Sequence, residues 1–294
     1  MTWEWKIGDP VDDANGGFMD AQNWTGDYYF VEDNSNKSIS KSNEYSKKAR
    51  DLYNDNEDEA ALHHIDMALD LDDGSSENWN LKGLILERLQ RYDESEYCYD
   101  KSLNIDYNYK VKYNKARMLY KWAHNLLEKS KKSSDRLDLL YEAQLIIDRS
   151  INAFSQEKNK EELDRNLRLR HTIDSSVISE QKFQLHCLIL KNYDKSELFT
   201  IIGTEFYEDC GKLDLGVPLK LVKEPENEFD SDAIAVYVGD KKAGYVANSV
   251  DTKYSLTSSA SEIQDKIPDI CQGEYLLYLD RYSTRQFHIG KIIK

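Results

Sequence analysis

The sequence predicts a two-part chain, a stack of antiparallel helical hairpins followed by a small six-stranded β-barrel. Two observations carry that division. Between residues 43 and 156, apolar and small residues fall at helical spacing and recur at one fixed offset. After Tyr193 the pattern changes to short β-branched and aromatic runs separated by turn residues. A chain of 294 residues, 40% of them hydrophobic and 32% charged, is long enough to bury two modest cores.

The helical part is set by its register. Aligning Tyr45 with Trp79 gives an offset of 34 residues, and the same offset carries Ala49 onto Gly83, Leu52 onto Leu86, Ala61 onto Ser95, Ile65 onto Tyr99 and Ala68 onto Ser102. Small residues at matched sites let paired helices approach closely, while large residues one turn away fill the space between neighbouring pairs. The second copy, "WNLKGLILERLQRYDESEYCYDKSLNID", resembles the tetratricopeptide repeat, with Lys82 at a usual Leu and Tyr107 where Pro is common. A third copy is looser, with Ala116 in its first helix and Ala143, Ile147 and Ser150 in its second. Ala116 and Ala143 are 27 residues apart against 12 for Gly83 and Ser95, so either the helices or the turn at 129–134 must be longer. Residues 158–190 keep a helical, charge-laced pattern through Leu167, Leu169, Ile173 and Val177 and are expected to cap a repeat domain spanning 42–192.

What the repeat resemblance implies is a concave groove lined by the first helix of each pair. The register places Asn43, Ser46, Arg50 and Tyr53 of the first copy, and Glu77, Asn80, Leu84, Glu87 and Arg88 of the second, on that groove. Of these, Arg50, Asn80 and Arg88 are the types that grip a terminal carboxylate. A peptide or partner helix therefore fits better than an acidic tail. Ahead of the repeats, residues 1–41 are acidic and rich in Asn, Gly and Asp, and read as an extended arm. The arm carries Trp3, Trp5, Phe18, Trp24, Tyr28, Tyr29 and Phe30, so it either docks on its own helical domain or recruits a partner.

In the barrel part, expected over residues 196–294, the runs "FTIIGTEFY", "VPLKLV", "AIAVYV", "AGYVA", "EYLLYLD" and "RQFHIGKII" read as strands. Gly239-Asp240 marks a hairpin, and the Ser-rich segment 248–267 has room for one short helix. The stretch "KEPENEFDSDAIAVY" packs a crowded acidic turn against an apolar strand. Pro225 fixes its own φ and restricts Glu224, so the preceding strand must turn there. Asn227 and Asp230 are residue types that bond nearby backbone donors and shape tight loops. Phe229 between them must either enter the core or stand over a shallow pocket.

This segment resembles the signature of the HIRAN domain: Gly203 with Phe206-Tyr207, then Glu224-Pro225-Glu226-Asn227-Glu228-Phe229-Asp230 leading into Ala233-Ile234-Ala235-Val236, then Gly244-Tyr245. That resemblance implies an accessory module of DNA-processing and repair proteins that, in a helicase-like relative, holds the 3′ end of single-stranded DNA. It places Phe206 and Phe229 at base-stacking positions and Asp230 at the carboxylate that recognises the terminal hydroxyl. Asn227 falls at a loop-shaping or contact position, with Tyr207 and Tyr245 on the same nucleic-acid-binding surface. This chain departs from the pattern at Glu205, where an Arg supports the phosphate, at Tyr245, where a His lies, and at Asn248, where a Lys reaches the backbone. Residues 196–294 also hold six more acidic than basic residues, which weakens phosphate attraction. Two other readings stay open for Phe229 and Asp230: a different ligand in the same pocket, or a ring and a carboxylate kept for the loop alone.

Composition excludes several classes. A formal net charge of −15 argues against adhesion to nucleic acid over the whole surface, so any contact must be local. No G-x-x-x-x-G-K-S/T, G-x-S-x-G or H-E-x-x-H occurs, and an enzyme is not expected. His63-His64 beside Glu59 and Asp66 does not make a metal site, because adjacent helical residues point about 100° apart. No cofactor is expected. Cys98, Cys187, Cys210 and Cys271 contain no C-x-x-C pair and read as reduced thiols. No run approaches the roughly 18 to 20 apolar residues of a membrane span, and "MTWEWKIGDP" lacks a basic start and an apolar signal core, so a soluble cytoplasmic protein is expected. The expectation is a non-enzymatic adaptor whose repeats hold a protein partner and whose barrel meets single-stranded DNA ends. A protein-only scaffold and an accessory subunit of a separate helicase or nuclease are the alternatives.

Overall fold

The computed structural model describes residues 34–155, 159–207, 213–281 and 285–293. The expected arm up to residue 33, with all seven of its named aromatic residues, lies outside the described residues, as does Cys210. Seven long helices come first: α1 (Asn34–Asn54), α2 (Asp58–Leu71), α3 (Ser76–Arg88), α4 (Tyr92–Ile105), α5 (Tyr109–Ser130), α6 (Arg136–Ser155) and α7 (Lys160–Leu190). Contacts divide the chain into two compact units, Met1–Ile173 and Asp174–Lys294, so that α7 is shared between them.

The 34-residue register is visible in the backbone itself. The turns closing α1 and α3 each carry a residue in the left-handed region, Asn56 (φ 64°) and Gln90 (φ 61°). In both, the next amide reaches back to the same carbonyl, Glu57 N to Leu52 O and Arg91 N to Leu86 O, each at 2.9 Å. A buried hydroxyl also ties each hairpin at matched positions with its direction reversed. Ser42 Oγ donates to Ala68 O at 2.8 Å in the first pair, and Ser102 Oγ donates to Ser76 O at 2.7 Å in the second.

Side-chain volume is traded across each pair in the same way. Ala49 and Ile65 are fully buried in one core. Their equivalents are Gly83 and Tyr99, and a Cβ on Gly83 would lie 2.9 Å from Tyr99 Cε1, so the larger ring is admitted only because the facing residue shrinks. In the third pair α5 and α6 lengthen to 22 and 20 residues, which accounts for the wider spacing from Ala116 to Ala143. Ser150 Oγ donates to Ala116 O at 2.7 Å and holds that pair together. The first part of α7 closes this unit: Tyr113 Oη donates to Glu162 at 3.0 Å, Arg170 Nε to Asp148 at 2.7 Å, and Arg165 lies over the Tyr120 ring.

The second unit is a closed antiparallel barrel of β1 (Leu198–Ile202), β2 (Pro218–Lys223), β3 (Ile234–Val238), β4 (Lys241–Val246), β5 (Ile270–Arg281) and β6 (Arg285–Ile292), in the order β1-β4-β3-β2-β5-β6. Closure leaves no unpaired strand edge among them. Phe199, Ile201, Leu219, Leu221, Ile234, Val236, Val246 and Tyr275 fill the interior. Leu190 and Phe183 of α7 pack with Leu198, Leu277, Leu279 and Ile289 on a second cluster, so β1 is buried on both faces. The Ser-rich segment contains the short helix α8 (Ala260–Ile263), started by a capping box between Ser259 and Glu262. Among the described residues no helix is long and apolar enough to cross a membrane.

Candidate functional site

The acidic stretch between β2 and β3 is a fully braced loop. Glu224 N donates to Ala233 O at 2.8 Å, Asn227 N to Glu224 O at 3.0 Å, and Ala233 N to Asp230 O at 3.0 Å. Asn227 works inside the loop: its Oδ1 accepts the amides of Phe229 at 3.0 Å and Asp230 at 3.3 Å, and its Nδ2 donates to Glu224. With the backbone pinned on that side, the Phe229 ring stands outward, 96% exposed. It does not enter the core.

Phe206 reaches the surface by a different route. The sequence pattern runs the first strand on to Tyr207, but the strand ends at Ile202, where Gly203 (φ 74°) turns the chain into a 3₁₀ turn at Thr204–Phe206. A left-handed residue cannot continue a β-ladder. The turn lies against β4 and leaves the Phe206 ring 79% exposed, with Tyr207 half-buried behind it.

β4 joins the two loops. Its Tyr245 pairs with Ile202 of β1 on one side and Ala235 of β3 on the other. Tyr245 Oη donates to Glu224 at 3.0 Å and accepts from Lys242 Nζ at 2.8 Å, while Lys242 also holds Glu224 at 2.7 Å. Just past β4, Asn248 Nδ2 donates to Asp230 Oδ2 at 2.9 Å, and Asn248 Oδ1 accepts from Ser261 N at the start of α8. Asp230 Oδ1 accepts from Asp232 N at 2.9 Å. Each carboxylate oxygen of Asp230 thus has one donor and lone-pair capacity for another.

Electrostatics follow from these bonds. Burial pushes the Glu224 carboxyl upward, but hydrogen bonds from Lys242, Asn227 and Tyr245 outweigh it and hold the pKa below the usual value. Burial works against the Lys242 ammonium as well, and Glu224 and Tyr245 reverse that effect and raise its pKa. On β6, burial lowers the pKa of His288, whose Nδ1 lies 2.9 Å from Tyr275 Oη, while the Glu205 carboxylate acts in the opposite direction. Neither the bracing role of Lys242 nor the Asn248–Asp230 bond was foreseen from the sequence. Lys242 and Tyr245, three residues apart, belong on opposite faces of a regular strand, and they meet only because a bulge between Lys242 and Gly244 breaks the alternation of β4.

The repeat-domain residues are less unified. Arg50 is exposed and Leu84 half-buried. Arg88 ties its hairpin to the preceding one: its guanidinium binds Asp58 with two nitrogens, donates to Asn56 and Tyr53 O, and covers the Tyr53 ring at 3.8 Å from the centroid. Glu87, only 4% exposed, accepts from Tyr99 Oη at 3.0 Å and Lys121 Nζ at 2.5 Å. Asn80 accepts from Asn114, its equivalent one repeat later. These bonds bind α3 to its neighbours, and they add Asn114, Arg117 and Lys121 of α5 to the face the register described. His63 and His64 meet edge to face, with His64 Nδ1 bonded to Ala60 O. Among the described residues no group of three or more His, Cys, Asp or Glu is arranged to hold a metal ion.

Comparison with known proteins agrees with this geometry in the barrel. Residues 196–260 match the HIRAN domain. No curated relative matches the chain. Solved structures similar to the helical part include an Arabidopsis OM64 TPR domain, at 16% identity over 46% of this chain and 98% of that one, with a TM-score of 0.32. The Yersinia enterocolitica type III secretion translocator chaperone SycD is similar at 18% identity over 50% and 88%, with a TM-score of 0.32. A yeast Sti1 TPR2B domain is similar at 11% identity over 47% and 98%, with a TM-score of 0.32. With its 34-residue register realised in the backbone and its closed six-stranded barrel, the chain carries a tetratricopeptide-type repeat stack followed by a HIRAN domain.

Proposed function

We propose that this protein is a non-enzymatic adaptor in DNA processing or repair, in which the helical repeats hold a protein partner and the barrel engages the 3′ end of single-stranded DNA. One observation carries the reading of the barrel: two phenyl rings stand in solvent, Phe206 on a 3₁₀ turn and Phe229 on a loop whose backbone is tied down by Asn227. Exposed rings of this size supply a stacking platform that needs little backbone ordering on binding, and a base stacked on an aromatic ring is worth about 1–3 kcal/mol. Asp230, directly after Phe229, has acceptor capacity for a hydroxyl at the strand terminus. On the repeat unit, away from the groove the register describes, the exposed Tyr97, Ile105, Tyr107 and Tyr109 and a cavity of about 280 Å³ lined by Leu103, Tyr107, Leu119 and Arg149 between α4, α5 and α6 support a peptide-sized protein ligand.

Fluorescence anisotropy with one single-stranded oligonucleotide, free or blocked at its 3′ end, tests the reading. Binding of the free-ended strand alone is the expected result, and equal binding of both refutes it. Glu205 favours a second reading, a protein-only scaffold, because its carboxylate adjoins one of the rings. A scaffold retains its partners when Phe229 becomes Ala and shows no affinity for either oligonucleotide.

A further inference from the structure

We propose, on the basis of the end-binding reading above, that the site is phosphate-blind: it takes a strand terminus through bases and hydroxyl, and Glu205 with the carboxylates of the 224–232 loop turns away the charged interior of the strand. The ligand class is a short 3′-terminal oligonucleotide carrying few phosphates.

The charge arrangement around the rings is one-sided. Carboxylates occur at every second residue of the loop, Glu224, Glu226, Glu228, Asp230 and Asp232, with Glu226 and Glu228 exposed on either side of Asn227. Glu205, also exposed, immediately precedes Phe206. Among the described residues the cations nearest these loops are matched: Lys223 is held by Asp269 at 3.6 Å, Lys242 by Glu224 at 2.7 Å, and Lys253, beyond Asn248, by Glu262 at 2.7 Å, while the exposed Lys241 lies at the opposite end of β4, beside the Gly239-Asp240 turn. A phosphodiester beside either ring therefore meets carboxylates within the roughly 8 Å over which exposed charges interact at physiological salt.

Stacking on a phenyl face needs no charge, and a carboxylate accepting a hydroxyl proton needs none on the ligand. The two kinds of contact thus act in opposite directions as a strand lengthens. The terminal base and hydroxyl gain, and every further phosphate adds repulsion. Salt dependence separates this from ordinary single-strand binding, in which each phosphate neutralised by a cation steepens the fall of log K with log salt by about 0.7. Here salt screens a repulsion, so affinity is flat or rises as salt is added.

The test titrates the full chain with 3′-hydroxyl dinucleotide, tetranucleotide and octanucleotide, and with their 3′-blocked counterparts, across a potassium chloride series, alongside Glu205→Arg. The expected result is a salt slope of zero or above, an octanucleotide bound no better than the dinucleotide, and a Glu205→Arg variant that binds the octanucleotide about three- to tenfold tighter at low salt, with a slope moved toward about −0.7. Affinity that climbs with length and falls steeply with salt in the unaltered protein, or a Glu205→Arg variant indistinguishable from it, overturns the proposal while leaving end binding intact. Equal affinity for 3′-blocked oligomers removes the end-binding reading instead. Binding of none of the oligomers by either protein removes both.

Discussion

Phe229→Ala separates a binding ring from a structural one. The side chain is 96% exposed, and the loop around it is held by bonds from Asn227, Asp230, Glu224 and Asn248 that do not involve the ring. Removing it exposes no core and breaks none of those bonds, so folding stability should move by no more than about 0.5 kcal/mol. The same change removes a stacking partner worth about 1–3 kcal/mol. At about 1.4 kcal/mol per tenfold, that is a loss of about 5- to 150-fold in affinity for a free 3′ end. Anisotropy titrations give the affinity and thermal unfolding of the same samples gives the stability. A variant that unfolds markedly earlier, or one that binds as tightly as the unaltered protein, refutes the reasoning.

Two further outcomes follow from other parts of the chain. Gly83→Ala places a methyl against the buried Tyr99 ring and should destabilise the repeat unit by about 1–3 kcal/mol in urea unfolding. Adding Tyr99→Ile recreates the Ala49–Ile65 pairing of the first repeat and should recover stability, whereas purely additive losses contradict the proposed exchange of volume. Burial lowers the pKa of His288, so between that folded value and the ordinary His value the unfolded chain binds more protons. Barrel stability is then fully present above about pH 6.5 and declines as pH falls through the folded pKa. His288→Gln should flatten that decline, and an unchanged pH profile contradicts the assignment.

Most of the fold could be read from the sequence because it rests on volume and spacing. The offset carrying Ala49 onto Gly83 and Ile65 onto Tyr99 specifies which residues face one another, and the hairpin at Gly239-Asp240 forms as its turn chemistry requires. The run "FTIIGTEFY" is β-prone throughout and predicts a longer first strand than the one that forms, because one glycine's positive φ, which spacing does not reveal, ends the ladder at Ile202. In the barrel site the residue types were legible, but the commitments of Lys242 and Asn248 were not, since each depends on a partner about 18 residues away across a strand crossing. Register placed Glu87 and Arg88 beside a groove, yet it carries no information on ion pairing, and both are engaged with Tyr99, Lys121 and Asp58.

The surface shared by the Phe206 turn, the Phe229–Asp230 loop and the end of β4 is tested most directly by titrating the isotopically labelled full chain with a free-ended trinucleotide and following amide resonances. Shifts centred on Phe206, Phe229, Asp230 and Asn248, with the repeat helices unmoved, are the predicted result. Unchanged resonances at those four residues under saturating trinucleotide would contradict the central claim that the exposed rings of this barrel form a ligand site.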